Sequence, residues 1–133
     1  MIGLSYRLDL ELQRVADAAD KAADKAMRPV AYAAAQEAKR SIRRTRSRKP
    51  APEGQPPRTR TGRAKKAVRY AMEIRGYQYV VGFAASVIGQ AMGAHERGET
   101  YKGTAFPQRP TMGPALAHVG PLLGRTWEGR IGD

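Results

Sequence analysis

Apolar positions in the first part of the chain recur every three or four places, at Leu8, Leu12, Val15, Ala19, Ala22 and Ala26. That spacing lines them up on one side of a helix. Asp9, Glu11, Asp17, Asp20, Lys21, Asp24 and Lys25 fall mostly off the stripe, on the solvated side. The stripe narrows from leucine to alanine, so another helix can approach closely. Its partner is either the same domain or a neighbouring copy, and the pattern fits both. Pro29 has no amide proton and disfavours helix at Arg28, which predicts a kink or short break. The period resumes through Val30, Ala33 or Ala34, Ala38 and Ile42, and Pro50 stops it.

Beyond the prolines the period changes. Thr61-Gly62 reads as a turn and Arg63 to Ala67 as one helical turn. Val68, Tyr70, Met72 and Ile74 then alternate with Arg69, Ala71, Glu73 and Arg75, the period of a half-buried strand. Gly76-Tyr77 suits a two-residue hairpin loop, and Gln78 to Phe83 returns with Tyr79, Val81 and Phe83 on one face. A lone hairpin is not stable in water, so it lies on the long helix or pairs with another chain. Ser86 is placed to cap a short helix through Glu96, with Val87, Ile88, Ala91, Met92 and His95 toward one side and Gly98 at its end. Glu99 to Pro110 is expected to be extended or irregular, anchored by Tyr101 and Phe106. A last helix starts near Met112, steps through Leu116, Val119, Leu123, Trp127 and Ile131, and kinks at Pro121. The fold expected is α+β in one domain over residues 1–133. Its parts are a long kinked N-terminal helix, a basic Pro-rich loop over 46–62, a β-hairpin, a short helix and a C-terminal helix.

Charge sharpens this picture. Between Lys39 and Arg75 there are 14 basic residues against only Glu53 and Glu73, a local excess equal to the +12 of the whole chain. Residues 1–38 hold five basic against six acidic side chains, and residues 76–133 five against four. Pro50, Pro52, Pro56 and Pro57 with Gly54 interrupt regular structure at the centre of this stretch, so a stiff, extended loop between two ordered arms is expected. Arg43, Arg44, Arg46, Arg48, Lys49, Arg58, Arg60, Arg63, Lys65 and Lys66 are its candidate contact residues. They suit phosphates without reading sequence, or an acidic protein surface, or simple solvation. Residues 39–69 carry no aromatic, so base stacking there is not expected.

The rest of the composition mostly excludes. Apolar residues make up 41% of the 133, but many are alanine and aromatics reach only 7%, which implies a thin core and surface left for other copies. With no cysteine and two histidines, neither disulfides nor a metal centre is expected. MIGLSYRLDLELQ has no signal-peptide core and no apolar run nears a membrane span, so no membrane partner is expected. His95-Glu96 opens like a zinc-protease motif, but no second histidine follows at the needed spacing. Ser41, Ser47, Ser86 and His118 lack partners that would activate them. An enzyme is not expected, and no cofactor.

Three motifs occur in order: Arg60-Thr61-Gly62-Arg63-Ala64 before the hairpin, His95-Glu96-Arg97-Gly98-Glu99-Thr100 at the end of the short helix, and Arg109-Pro110-Thr111-Met112-Gly113-Pro114-Ala115-Leu116 opening the last helix. With Val81-Gly82-Phe83 at the hairpin end, this order resembles the neck and tail-completion (head–tail joining) proteins of tailed bacteriophages, from about Val30 onward. Ala64, Glu99 and Thr111 stand where that family has leucine, threonine and phenylalanine. The resemblance implies a virion structural protein assembled in the host cytoplasm. It would form a ring at the head–tail junction, joining connector to tail, with genome DNA in the lumen and head-closure and tail-terminator proteins as neighbours. Six copies are expected, with twelve as the alternative. Leu8, Leu12, Val15, Tyr70, Met72, Phe106, Met112 and Trp127 are the expected subunit-interface positions. The competing expectation is a free, sequence-nonspecific nucleic-acid-binding protein.

Overall fold

The computed structural model describes residues 2–74 and 78–128, with side chains described from residue 12 onward except at residue 74. The expected turn at Gly76-Tyr77, the Leu8 side chain and Ile131 lie outside the described residues. The chain forms α1 (Ile2–Ser41), β1 (Arg43–Arg44), β2 (Arg58–Thr59), α2 (Arg63–Ala67), β3 (Val68–Ile74) and β4 (Gln78–Phe83). It continues through α3 (Ala85–Ile88), α4 (Ala91–Arg97), β5 (Thr100–Tyr101), β6 (Thr104–Ala105), α5 (Met112–Val119) and α6 (Leu122–Trp127). This is the expected mixture of a long N-terminal helix, a hairpin and C-terminal helices in one domain.

The 40-residue α1 is the spine, about 60 Å long at the helical rise per residue. Its buried residues are Ala23, Ala26, Ala31, Ala34, Ala35 and Ala38, with Ile42 just beyond its end. The expected break at Pro29 does not occur, and the helix runs through it. Pro29 is exposed, so the carbonyl it leaves unpaired faces water. A clasp also spans this turn: Arg28 donates to Asp24 at 2.8 Å and to the Tyr79 hydroxyl at 3.3 Å, while that hydroxyl donates to Asp24. These bonds hold the Asp24 carboxyl below its ordinary value, the Tyr79 bond contributing most.

The β3–β4 hairpin is antiparallel, Val68 opposite Phe83 and Tyr70 opposite Val81, with a register irregularity between Met72 and Ile74. It lies along α1, which answers the question of its partner. Tyr79 meets Asp24, the Tyr32 and Tyr70 rings meet edge-on at 6.1 Å, and Val68 joins Ala35, Ala38 and Ile42 in the core. Val81, Phe83, Ile88 and Met112 pack around that core, and α5 and α6 cover α1 from the C-terminal side. Only Ile42, Val68 and Thr111 are large side chains that are fully buried, so the core is the thin, alanine-rich one the composition implies.

The second half departs from expectation in detail. The expected single helix from Ser86 to Glu96 is two, because Gly89 turns the chain at φ 78° between α3 and α4. Ala84, not Ser86, precedes the first of them, with no side-chain cap. Gly98 ends α4 in the left-handed conformation as expected, φ 69°. Within the stretch expected to be extended or irregular, Thr100–Tyr101 and Thr104–Ala105 are extended and pair as the small β5–β6 hairpin, whose turn residues Lys102 and Gly103 both have positive φ. Gly120-Pro121 separates α5 from α6 rather than bending one helix.

Candidate functional site

The basic segment is folded onto the body and is not a projecting extended arm. Arg43 and Arg44 pair in parallel with Arg58 and Thr59, and the Thr45 amide continues the ladder to the Thr59 carbonyl at 2.9 Å. Residues 45–57 therefore leave and return at one point, as a compact loop. Short hydroxyl bonds shape its first part: the Ser47 amide to Thr45 Oγ1 and the Lys49 amide to Ser47 Oγ, both 3.1 Å. Gln55 donates to the Pro52 carbonyl across a turn with Gly54 at φ 82°. Proline stiffness alone predicts extension, but here Pro57 and Ala51 are buried against the body, while Pro50 and Pro52 stay exposed.

Two long-range bonds pin the loop. Arg109 Nε donates to the Ala51 carbonyl at 2.7 Å, and the Gly54 amide to the Gln108 carbonyl at 2.7 Å. Arg109 is in turn held by its own amide on the His95 carbonyl, 2.6 Å. Burial and the neighbouring Arg109 charge hold the His95 imidazole below its ordinary value, and its ring meets Phe106 at 4.6 Å. Glu96 does a different job. Its carboxylate accepts the amides of Thr111, Met112 and Gly113 at 2.7, 2.9 and 2.9 Å, so it caps α5 from α4. The His95-Glu96 pair is thus structural, and no group of three or more His, Asp or Glu among the described residues is arranged for a metal ion.

Between the pinned loop and α2, α3 and α4 lies a cleft of about 450 Å³. Arg48, Lys49, Arg58, Arg60, Arg63 and Arg109 line it, together with Ala64, Ile88, Met92 and His95. No Asp or Glu lines it. The ion pairs seen among the described residues are elsewhere: Asp24–Arg28, Glu37–Arg40 and Glu99–Arg97. Arg63 instead donates to the Val87 carbonyl at 2.8 Å, which fixes its guanidinium without neutralising it.

Five of the ten expected contact residues, Arg48, Lys49, Arg58, Arg60 and Arg63, thus face one concavity. Arg43, Arg44, Arg46 and Lys66 are exposed outside it, and Lys65 is half-buried. Arg46 shares a second depression with Thr45, Arg60 and Thr61. The cleft members that sequence reasoning missed are Arg109 and the apolar Ile88 and Met92. Arg109 is 58 residues from Ala51, and nothing in its local pattern signals that contact.

The expected interface positions divide. Leu12 and Val15 are 60% and 66% exposed, and residues 12–19 are exposed throughout. Tyr70 and Met72 are 39% and 45% exposed on the outer part of the hairpin. Phe106 and Met112 are half-buried within the chain, Phe106 against the His95 ring and Met112 against the core. Trp127 is half-buried at the end of α6. Comparison with known families, curated proteins and solved structures found no match for the chain.

Proposed function

We propose that the protein is a structural subunit of the neck of a tailed bacteriophage, one copy of a ring that joins connector to tail beside the DNA channel. The observation that carries this reading is the dozen excess positive charges of residues 39–75, of which Arg48, Lys49, Arg58, Arg60 and Arg63 line one cleft with no carboxylate among its described lining residues. Concentrating like charges costs a lone chain self-repulsion, whereas copies around an axis add them into a field for a polyanion or an acidic neighbour. The surface supports the assembly. The chain exposes 9584 Å², against about 6,900 Å² for a compact monomer of its mass. That excess exceeds what two ordinary subunit interfaces bury on each protomer, roughly 800 Å² apiece. Head-to-tail contacts close into a ring when the rotation from copy to copy closes. Leu12, Val15, Tyr70 and Met72 are among the exposed apolar residues of the chain, with Tyr32, Val80 and Leu116.

Charge reversal tests the reading. Arg43, Arg44, Arg46, Arg48 and Lys49 changed together to Glu yields particles that fail to join heads to tails or to retain DNA, scored by plaque titre and electron microscopy. Fully infectious particles contradict it. A free nucleic-acid binder predicts the opposite division: tight, salt-sensitive duplex binding by the isolated protein and no ring.

A further inference from the structure

We propose that the cationic cleft is the docking site for an acidic, leucine- or isoleucine-bearing peptide segment of a partner protein. The proposal deepens the neck-subunit reading and rests on it only for the presence of that partner in the same particle. Six cationic residues line the cleft, and no carboxylate among the described residues offsets them there. Bringing like charges to one concavity costs energy that an anion relieves, more strongly in a recess than on open surface.

Which anion follows from the rest of the lining. A cavity of about 450 Å³ takes a ligand the size of a few residues, not a duplex. Among the described lining residues the one aromatic ring is His95, already engaged by Phe106 at 4.6 Å, so an unpaired base finds no Phe, Tyr or Trp to stack on. Ile88 is the half-buried apolar residue of the wall, beside Ala64 and Met92 at 5% and 8% exposure, and a phosphate chain makes no apolar contact with it. A short peptide uses both parts. Its carboxylates accept from the guanidinium forks of Arg58, Arg60 and Arg48, and an aliphatic side chain covers Ile88 and Met92. The cleft is also preformed, because Arg109, Gln108 and Arg63 hold its walls through backbone carbonyls and amides. A docked segment need not order the loop first.

The test is fluorescence anisotropy with the intact chain and a labelled short peptide alternating aspartate and leucine. The expected result is saturable binding at least about tenfold tighter than to the same peptide with serine for leucine, the ratio that burying one aliphatic side chain supplies. Arg58→Glu with Arg60→Glu abolishes binding while the circular dichroism spectrum is unchanged. Equal affinity for the two peptides overturns the proposal, as does equal competition by a DNA duplex or by pyrophosphate, or failure of the aspartate–leucine peptide to bind. Each of those results leaves the ring reading standing, since that reading fails separately, by the absence of a ring in assembled particles.

Discussion

Thr111 sits immediately ahead of α5, where a threonine hydroxyl ordinarily caps the helix. Glu96 has taken the amides, so the hydroxyl is buried and meets no partner among the described residues. A buried, unpaired hydroxyl is a cost. Thr111→Val keeps the shape and removes it, and is expected to stabilise the fold by about 1 kcal/mol, read as a rise in the thermal midpoint. His95 sets a pH dependence. Its ordinary value is 6.5, and burial and Arg109 lower it in the folded chain. Below pH 6.5 the unfolded chain therefore takes up a proton that folded His95 refuses. Stability is full above that pH and falls as pH drops toward the lowered value. Urea unfolding at pH 7.5 and 5.5 should show the loss, and His95→Asn should remove most of it. At this scale the sequence was partly legible. The pattern marked His95 as a half-buried helix-end residue, but not what Glu96 binds. Its targets lie 15 to 17 residues on, in a segment whose own residues look sufficient to cap the helix.

Elements with a strong period were readable, and their interruptions were less so. The two-residue alternation placed β3 and β4, although the expected half-burial shows in β4, at Tyr79 and Val81, while in β3 Val68 is buried and residues 69–73 are exposed. Of the kink or short break expected at Pro29, the break does not occur: one helix runs through it, with a hairpin clasp 51 residues away across the same turn. The basic loop was misread because proline forbids regular structure but does not decide between a projecting arm and a packed loop. Arg109 decides that through Ala51. Arg109→Gln should leave the helices intact yet free residues 51–57. Hydrogen exchange at the Gly54 amide is expected to speed up by about tenfold, the equivalent of one hydrogen bond lost. Unchanged protection would mean that the Gln108 contact alone suffices.

At the scale of the whole molecule, the thin core and the surplus surface go together. Alanine lets α1 sit close to the hairpin and to α5, but it buries little apolar area per residue. The alternating leucine-to-alanine stripe was legible as apolar. Whether a stripe is covered by its own chain is not a local property, and here Ala26 is buried while Leu12 and Val15 are not. The segregated charge was legible outright, since counting needs no fold. Its division between a cleft and an outer face was not, because the cleft exists only where residues 48–63 meet Ile88, Met92 and Arg109. No helix among the described residues is long and apolar enough to cross a membrane. The account stands or falls on where the charge lies once copies assemble. Electron cryomicroscopy of the native particle, at a resolution that traces residues 43–66, measures this directly. The account predicts a closed ring with those side chains against DNA or an acidic neighbour. A ring, or a lone protomer, with the same side chains turned outward into solvent would contradict it.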